Sequence, residues 1–239
     1  MLKTQDIKEN DKLLWIFTDK IGKITAIAKG VKRSTSKFLS ISLPLCYGEY
    51  MVFKGKNMYT LNEGILIESF QELLNDLTTI TYSSYICELI DISVPDEESN
   101  SELFKTLVIA LYLMKTHAVD NEILVRAFEL KLLRLTGYGI NFDNCSICRK
   151  KIATSNYLSF QYYGGVCAEC VKEKGMNINK ASFSALKFLD SIPLEKVYRV
   201  NLSEPVKVEL AKITSILISS SYSRIPKSLQ MLEFIKESE

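Results

Sequence analysis

Four of the six cysteines fall in one stretch as two Cys-x-x-Cys pairs, Cys145 with Cys148 and Cys167 with Cys170. Two residues between thiols let a tight turn aim both sulfurs at one point, and four thiolates about 2.3 Å from a common centre are what a tetrahedral zinc ion takes. The 18 residues from Arg149 to Val166 suffice for a short hairpin, with Gly164 and Gly165 placed to reverse the chain before the second pair. The expectation is one structural Zn2+ held by Cys145, Cys148, Cys167 and Cys170 in an element at about 141–175. Pairs of this spacing also serve as redox dithiols or disulfides. Four ligands converging in a loop-rich segment fit zinc better. Four thiolates leave the metal no open position for water, so such an ion folds the segment and does no chemistry. Function has to be sought elsewhere in the chain.

Around that segment, 239 residues with 47% apolar and 24% charged content suit one or two globular domains with a sizeable core. The formal net charge is only +2, so any surface for nucleic acid or an acidic partner must come from local clustering of charge. No apolar leader stands at the N-terminus, and the most apolar run, Leu107 to Met114, is eight residues where a membrane span needs about 20. A soluble, cytoplasmic protein is expected. Cys46 and Cys87 have no partner nearby in sequence and read as small buried hydrophobes in a reducing compartment.

The pattern of the chain predicts an α+β fold. Residues 1–75 read as strands: a short one near Leu2 to Ile7, then Leu13 to Asp19, Lys23 to Lys29, Gly48 to Lys54 and Asn57 to Glu63. Ile24, Ala26 and Ala28 alternate with Lys23, Thr25 and Lys29, so one face is core and the other partly cationic. Five strands in so short a stretch match a small closed β-barrel of the OB-fold type, which leaves no open edges. Residues 76–239 turn to helical period: Tyr82 to Ile90, broken by Pro95 and the acidic run DEES, then amphipathic helices over Ser101 to Lys115 and Asn121 to Thr136. Beyond the zinc element, helices are predicted over Asn179 to Leu189, Val206 to Tyr222 and Leu229 to Lys236.

Charge singles out the first domain. Lys20, Lys23, Lys29, Lys32, Arg33 and Lys37 lie in a stretch that holds no Asp or Glu from Lys20 to Gly48, and Lys54 and Lys56 follow in the next hairpin. Such a surface is an ordinary solvated loop or a track for phosphates. Alternation assigns most of the nearby aromatics, among them Trp15, Phe17 and Tyr59, to the core, so none is named as a base-stacking platform.

Signatures of catalysis do not assemble. The sequence has no phosphate-binding Gly-rich loop ending in Lys-Ser/Thr, no dinucleotide fingerprint, no His-Glu-x-x-His and no acid/base pair. The single histidine, His117, reads as a surface or capping residue, and Ser219 to Ser223 as a polar helix end. A non-enzymatic role is expected. Two readings of other classes stand beside it: a cytosolic dithiol oxidoreductase working through the Cys-x-x-Cys pairs, and a zinc-stabilised DNA-binding regulator. The first requires metal-free protein, and the second a recognition helix with basic residues in one turn, which does not stand out.

Three stretches carry a resemblance: FTDKIGKITAIAKGVKRSTSKF, FELKLLRLTGYGINFDNCSICRK and LSFQYYGGVCAEC, followed by Lys227-Ser228 near the end. In that order, over residues 1 to about 230, the chain resembles the RecO family of bacterial DNA repair and recombination proteins. The resemblance implies an N-terminal OB-fold, a helical C-terminal domain, and a zinc site for which all four cysteines are present. It implies a recombination mediator that works with RecR, displaces or remodels single-stranded DNA-binding protein, loads RecA and anneals complementary strands, associated with the nucleoid. The family's cationic face falls on Lys29, Lys32, Arg33 and Lys37. Arg149 stands where many members have glycine. The helical domain of the family engages the acidic, Phe-ended tail of single-stranded DNA-binding protein; Arg126 and Arg134, flanking FELKLL, are candidate cations for it, and Arg126 reads equally as a structural charge.

Overall fold

The computed structural model describes residues 1–229, 231 and 232 of the chain. They form two compact units, Met1–Thr116 together with the residues from Pro226 onward, and His117–Ile225.

In the first unit, five strands follow the alternation of the sequence: β1 (Lys3–Asp6), β2 (Lys12–Thr18), β3 (Gly22–Ala28), β4 (Tyr47–Lys54) and β5 (Tyr59–Glu68). They form one sheet in the order β1-β2-β3-β5-β4. All neighbours are antiparallel except β3 and β5, which run parallel through Ala26↔Tyr59 and Ile27↔Thr60. Leu14 and Ile16 from β2, Ile24, Ala26 and Ala28 from β3, and Leu61 from β5 point into one core, as period two requires. The expected closed barrel is corrected to an open sheet, because no ladder joins β1 to β4 among the described residues. Two hydrogen bonds draw those edges together at one end: Leu45 N to the Met1 carbonyl at 3.0 Å, and the Met1 ammonium to the Cys46 carbonyl at 2.8 Å.

Helices α1 (Leu77–Ser93) and α2 (Ser101–Lys115) belong to the same unit. Each starts on a side-chain cap, Asp76 accepting from Thr79 N and Asn100 from Leu103 N, which satisfies one of the donors left orphaned in the first turn. Ser228 ties the returning chain to α1, its N–H and hydroxyl both donating to the Glu88 carboxylate at 2.9 and 2.7 Å. Cys46 and Cys87 are buried thiols, as expected, and burial pushes Cys87 up to about 12. The helix predicted over Leu229 to Lys236 lies largely outside the described residues.

The second unit is built on α3 (Asn121–Leu135), with α4 (Lys180–Ser191) and α5 (Glu204–Ser221) packed against it. The amphipathic pattern expected for α3 is corrected: every residue from Ile123 to Leu133 is buried. A helix apolar on most of its circumference is covered on all sides. Its charges are therefore inside, where Arg126 meets Glu129 at 3.2 Å and Lys131 donates to the Ile192 carbonyl at 2.6 Å. Between α3 and α4 a three-stranded sheet, in order β7-β6-β8, is formed by β6 (Tyr157–Ser159), β7 (Gly164–Gly165) and β8 (Gly175–Asn177). His117 is exposed, and Ser219 and Ser220 return their hydroxyls to helix carbonyls. Among the described residues no helix is long and apolar enough to cross a membrane.

Candidate metal centre and cationic surface

The four cysteines of the second unit come together. One sulfur from each of Cys145, Cys148, Cys167 and Cys170 lies within 4.8 Å of all the others, and none is in a disulfide. Sulfurs bound tetrahedrally at 2.3 Å stand about 3.8 Å apart, and Cys148 Sγ to Cys167 Sγ is 3.8 Å. The first pair sits on a tight turn closed by Arg149 N to the Cys145 carbonyl and Cys145 N to the Lys150 carbonyl, at 2.9 and 2.7 Å. The second follows β7, which Ser146 N reaches at the Gly165 carbonyl, so the hairpin carries one knuckle to the other.

Two details of this segment differ from the sequence reading. The glycines do not reverse the chain: Gly164 and Gly165 are strand residues opposite Ser159 and Leu158, and the reversal falls on the residues between β6 and β7. Glycine is needed there for close approach, since a Cβ on Gly165 would lie 2.8 Å from both Ile152 Cδ1 and Phe183 Cε2. Arg149, where the family resemblance led to glycine, takes a left-handed φ of 64°. The turn is kept although the residue that adopts it freely is gone.

The donor set favours a cation. Burial pushes the Cys145 thiol up, but the N–H groups of Cys148, Cys167 and Ile147 aimed at its sulfur more than offset this and bring it to about 6. Cys170, hydrogen-bonded to Cys167 and Cys148, is pushed up to about 12. The cluster thus holds its first negative charge readily and resists the rest, which a divalent metal would neutralise. The four residues could hold a metal ion.

In the first unit, the predicted cations separate into three groups. Lys20, Lys29, Arg33, Lys37 and Lys56 are exposed, with no carboxylate paired to them among the described residues; Lys37 lies over the Phe38 ring. Lys29, Lys32, Arg33 and Lys37 are brought together on the end of β3 and the turns that follow it, where Arg33 N bonds to Gly30 O and Ser36 N to Arg33 O. Lys32 and Lys54 are exposed but paired, with Asp6 at 2.8 Å and Glu97 at 2.6 Å. Lys23 leaves the candidate surface: it is 9% exposed, lies within 3.5 Å of Asp91 and 3.4 Å of Asp96, and donates to the Asp91 carbonyl. The counter-charges are what sequence reasoning missed. The acid-free run is free only along the chain, and the DEES segment that reads as a helix breaker supplies Asp96 and Glu97 across the fold.

Of the two arginines, Arg134 is partly exposed and bonds to the Asp190 carbonyl at 2.9 Å. Arg126 is corrected as a partner contact: its side chain is 4% exposed and held by Glu129 and by Thr214 Oγ1 at 2.8 Å.

An open five-stranded sheet bearing a cationic loop, joined in sequence to a helical unit with four clustered thiols that could hold a metal ion, defines the class of this α+β chain. Residues 1–70 match the family described as Recombination protein O N terminal, and residues 74–230 the one described as Recombination protein O C terminal. The chain is 60% identical over 237 residues to the DNA repair protein RecO of Clostridium perfringens strain 13, covering 99% of this chain and 96% of that one. It is 54% identical to the DNA repair protein RecO of Clostridium acetobutylicum, with the same coverage, and 31% identical to that of Acetivibrio thermocellus over 99% of this chain and 94% of the other. The chain belongs to the RecO family of DNA repair and recombination proteins.

Proposed function

We propose that this chain is a recombination mediator that binds single- and double-stranded DNA through its sheet unit, anneals complementary strands and, with RecR, helps load RecA onto DNA coated by single-stranded DNA-binding protein. The observation that carries the reading is the strand order β1-β2-β3-β5-β4 with the cations of Lys29 to Lys37 on the turns leaving β3. A partly open, five-stranded Greek-key sheet is the OB-fold pattern, whose faces and loops hold oligonucleotides.

Annealing requires no covalent chemistry and hence no enzyme. Complementary strands repel through their phosphates, and a surface that neutralises both while leaving bases free lets them pair. Lys29, Arg33 and Lys37, with Lys20 and Lys56 and with Lys32 and Lys54 once released from their carboxylates, are the groups for this. The thiol knuckle takes a single structural zinc, because four sulfurs complete the tetrahedron and leave no place for a substrate. The acidic tail of single-stranded DNA-binding protein would meet the second unit, where Arg134 is the accessible arginine of the two. The protein works in the cytoplasm at the nucleoid.

The test is an annealing assay on complementary strands coated with single-stranded DNA-binding protein, in its full-length and tail-deleted forms. Acceleration on coated strands that falls away with the tail deleted is expected. No acceleration on either coated or naked strands would overturn the reading. The dithiol alternative is separated by metal content: one zinc per chain with thiols shielded from alkylation supports the mediator, and metal-free protein with disulfide-exchange activity supports the oxidoreductase.

A further inference from the structure

The loop between α1 and α2 lies against the start of β3. Asp96 forms a parallel bridge with Lys23, Glu97 N donates to the Lys23 carbonyl at 2.9 Å, and the Glu98 backbone packs so closely on Gly22 that a Cβ there would lie 2.1 Å from its oxygen. Glu97 itself has a left-handed φ of 60°, a conformation that costs energy in any residue with a Cβ. The strained backbone aims its carboxylate into a cleft of about 320 Å³ that Lys54, Lys56 and Tyr59 help to line. There one oxygen meets Lys54 Nζ at 2.6 Å and the other accepts from the Tyr59 hydroxyl at 3.0 Å.

We propose that Glu97 is a tethered competitor for polyanions: its carboxylate occupies, on Lys54 and Tyr59, the place a backbone phosphate of a bound single strand would take. Two donors converging on one anionic group at hydrogen-bonding distance, one on exposed Lys54 and one on buried Tyr59, suit phosphate oxygens as well as a carboxylate. Because the loop backbone is fixed to β3, the carboxylate is always at hand, and its effective concentration rather than its intrinsic affinity makes it compete. A strand that engages Lys29 to Lys37 gains the cleft only by turning Glu97 out. The consequence is weak, easily reversed holding at one end of the track, which suits a protein that must release the strands it has paired. This inference rests on the nucleic-acid reading above.

The experiment measures binding of fluorescent oligothymidine, with polyphosphate as a base-free competitor, across a salt series. Glu97→Gln keeps the shape of the side chain and removes its charge. Glu98→Gln removes the same charge from the same loop, at a side chain with no ion pair among the described residues. Thermal melting checks that both variants are folded. Glu97→Gln is expected to bind about two- to fivefold more tightly, the range of a partly exposed ion pair. Its log affinity should fall more steeply with log salt, by roughly 0.7 for one added phosphate. Glu98→Gln should stay close to the parent, and the gain from Glu97→Gln should vanish on a Lys54→Ala background. Equal affinities for Glu97→Gln and the parent, or equal gains from both glutamine variants, would overturn the competitor while leaving the nucleic-acid reading in place. Failure of the parent to bind oligothymidine at low ionic strength would overturn both.

Discussion

Arg149 shows how one residue can keep a turn that its own chemistry resists. An L side chain in the left-handed region costs roughly 1–2 kcal/mol, yet Arg149 holds φ 64° between the first cysteine pair and Lys150. Arg149→Gly should therefore raise the stability of the protein by about 1 kcal/mol, less the extra entropy glycine gains in the unfolded chain. Urea unfolding of the two proteins at equal metal loading measures it, and an unchanged or lower midpoint would show the turn to be unstrained. The position was legible in sequence as a departure from the usual glycine, but its backbone angle was not. Arg126 illustrates the opposite limit. Its place beside FELKLL was clear, but whether it faced a partner or Glu129 depended on α3 being covered all round, which the charges at Arg126, Glu129 and Lys131 concealed.

At the scale of elements, β1 to β4 and α2 to α5 were predicted close to where they stand, because period two and period 3.6 are local properties, whereas β5 runs on to Glu68 and α1 extends from Leu77 to Ser93, beyond the stretches expected. α2 begins and ends where its pattern begins and ends, from Ser101 to Lys115. What the pattern could not give was the role of glycine in the thiol hairpin, where Phe183 from α4 closes on Gly165. The hairpin and its knuckles carry their own prediction. Cys145 falls to about 6 from an ordinary 9.0, so its thiolate, and the stability it lends the turn, is fully present above the ordinary value and is lost as pH falls through about 6. Metal retention should accordingly drop as the pH is lowered into that range, since protons and metal compete for the same sulfurs. Chelation at neutral pH should loosen residues 141–177 while leaving the first unit intact, as read by hydrogen exchange. Uniform loss of protection across both units, or none, would contradict a metal that folds only its own segment.

Over the whole molecule, 30 basic and 28 acidic residues nearly cancel, so binding of a polyanion depends on how charges are grouped. Of the eight cations singled out in the first unit, five are exposed with no carboxylate paired to them among the described residues, two are paired at the surface, and Lys23 is buried. If four to six phosphates are neutralised on a single strand, log affinity should fall with log salt at a slope of roughly −3 to −4. Alanine at Lys29, Arg33 and Lys37 together should flatten that slope by about 2. A salt-independent affinity, or a slope untouched by the triple substitution, would place the contact elsewhere. The balance also explains why the basic stretch reads more strongly in sequence than it acts in space, since Asp6, Asp91, Asp96 and Glu97 come back to it from other elements.

The sequence by itself determined the α+β class, the order of the elements and the grouping of four cysteines, because periodicity and cysteine spacing are written within a few residues of one another. Tertiary structure alone decided that the sheet stays open between β1 and β4, that α3 buries its charges, and that Lys23 is spent inside the fold while Lys54 is answered by Glu97. Each of those depends on groups far apart in the chain, and the energy of a charge or an edge is set by what the fold brings next to it rather than by its neighbours in sequence.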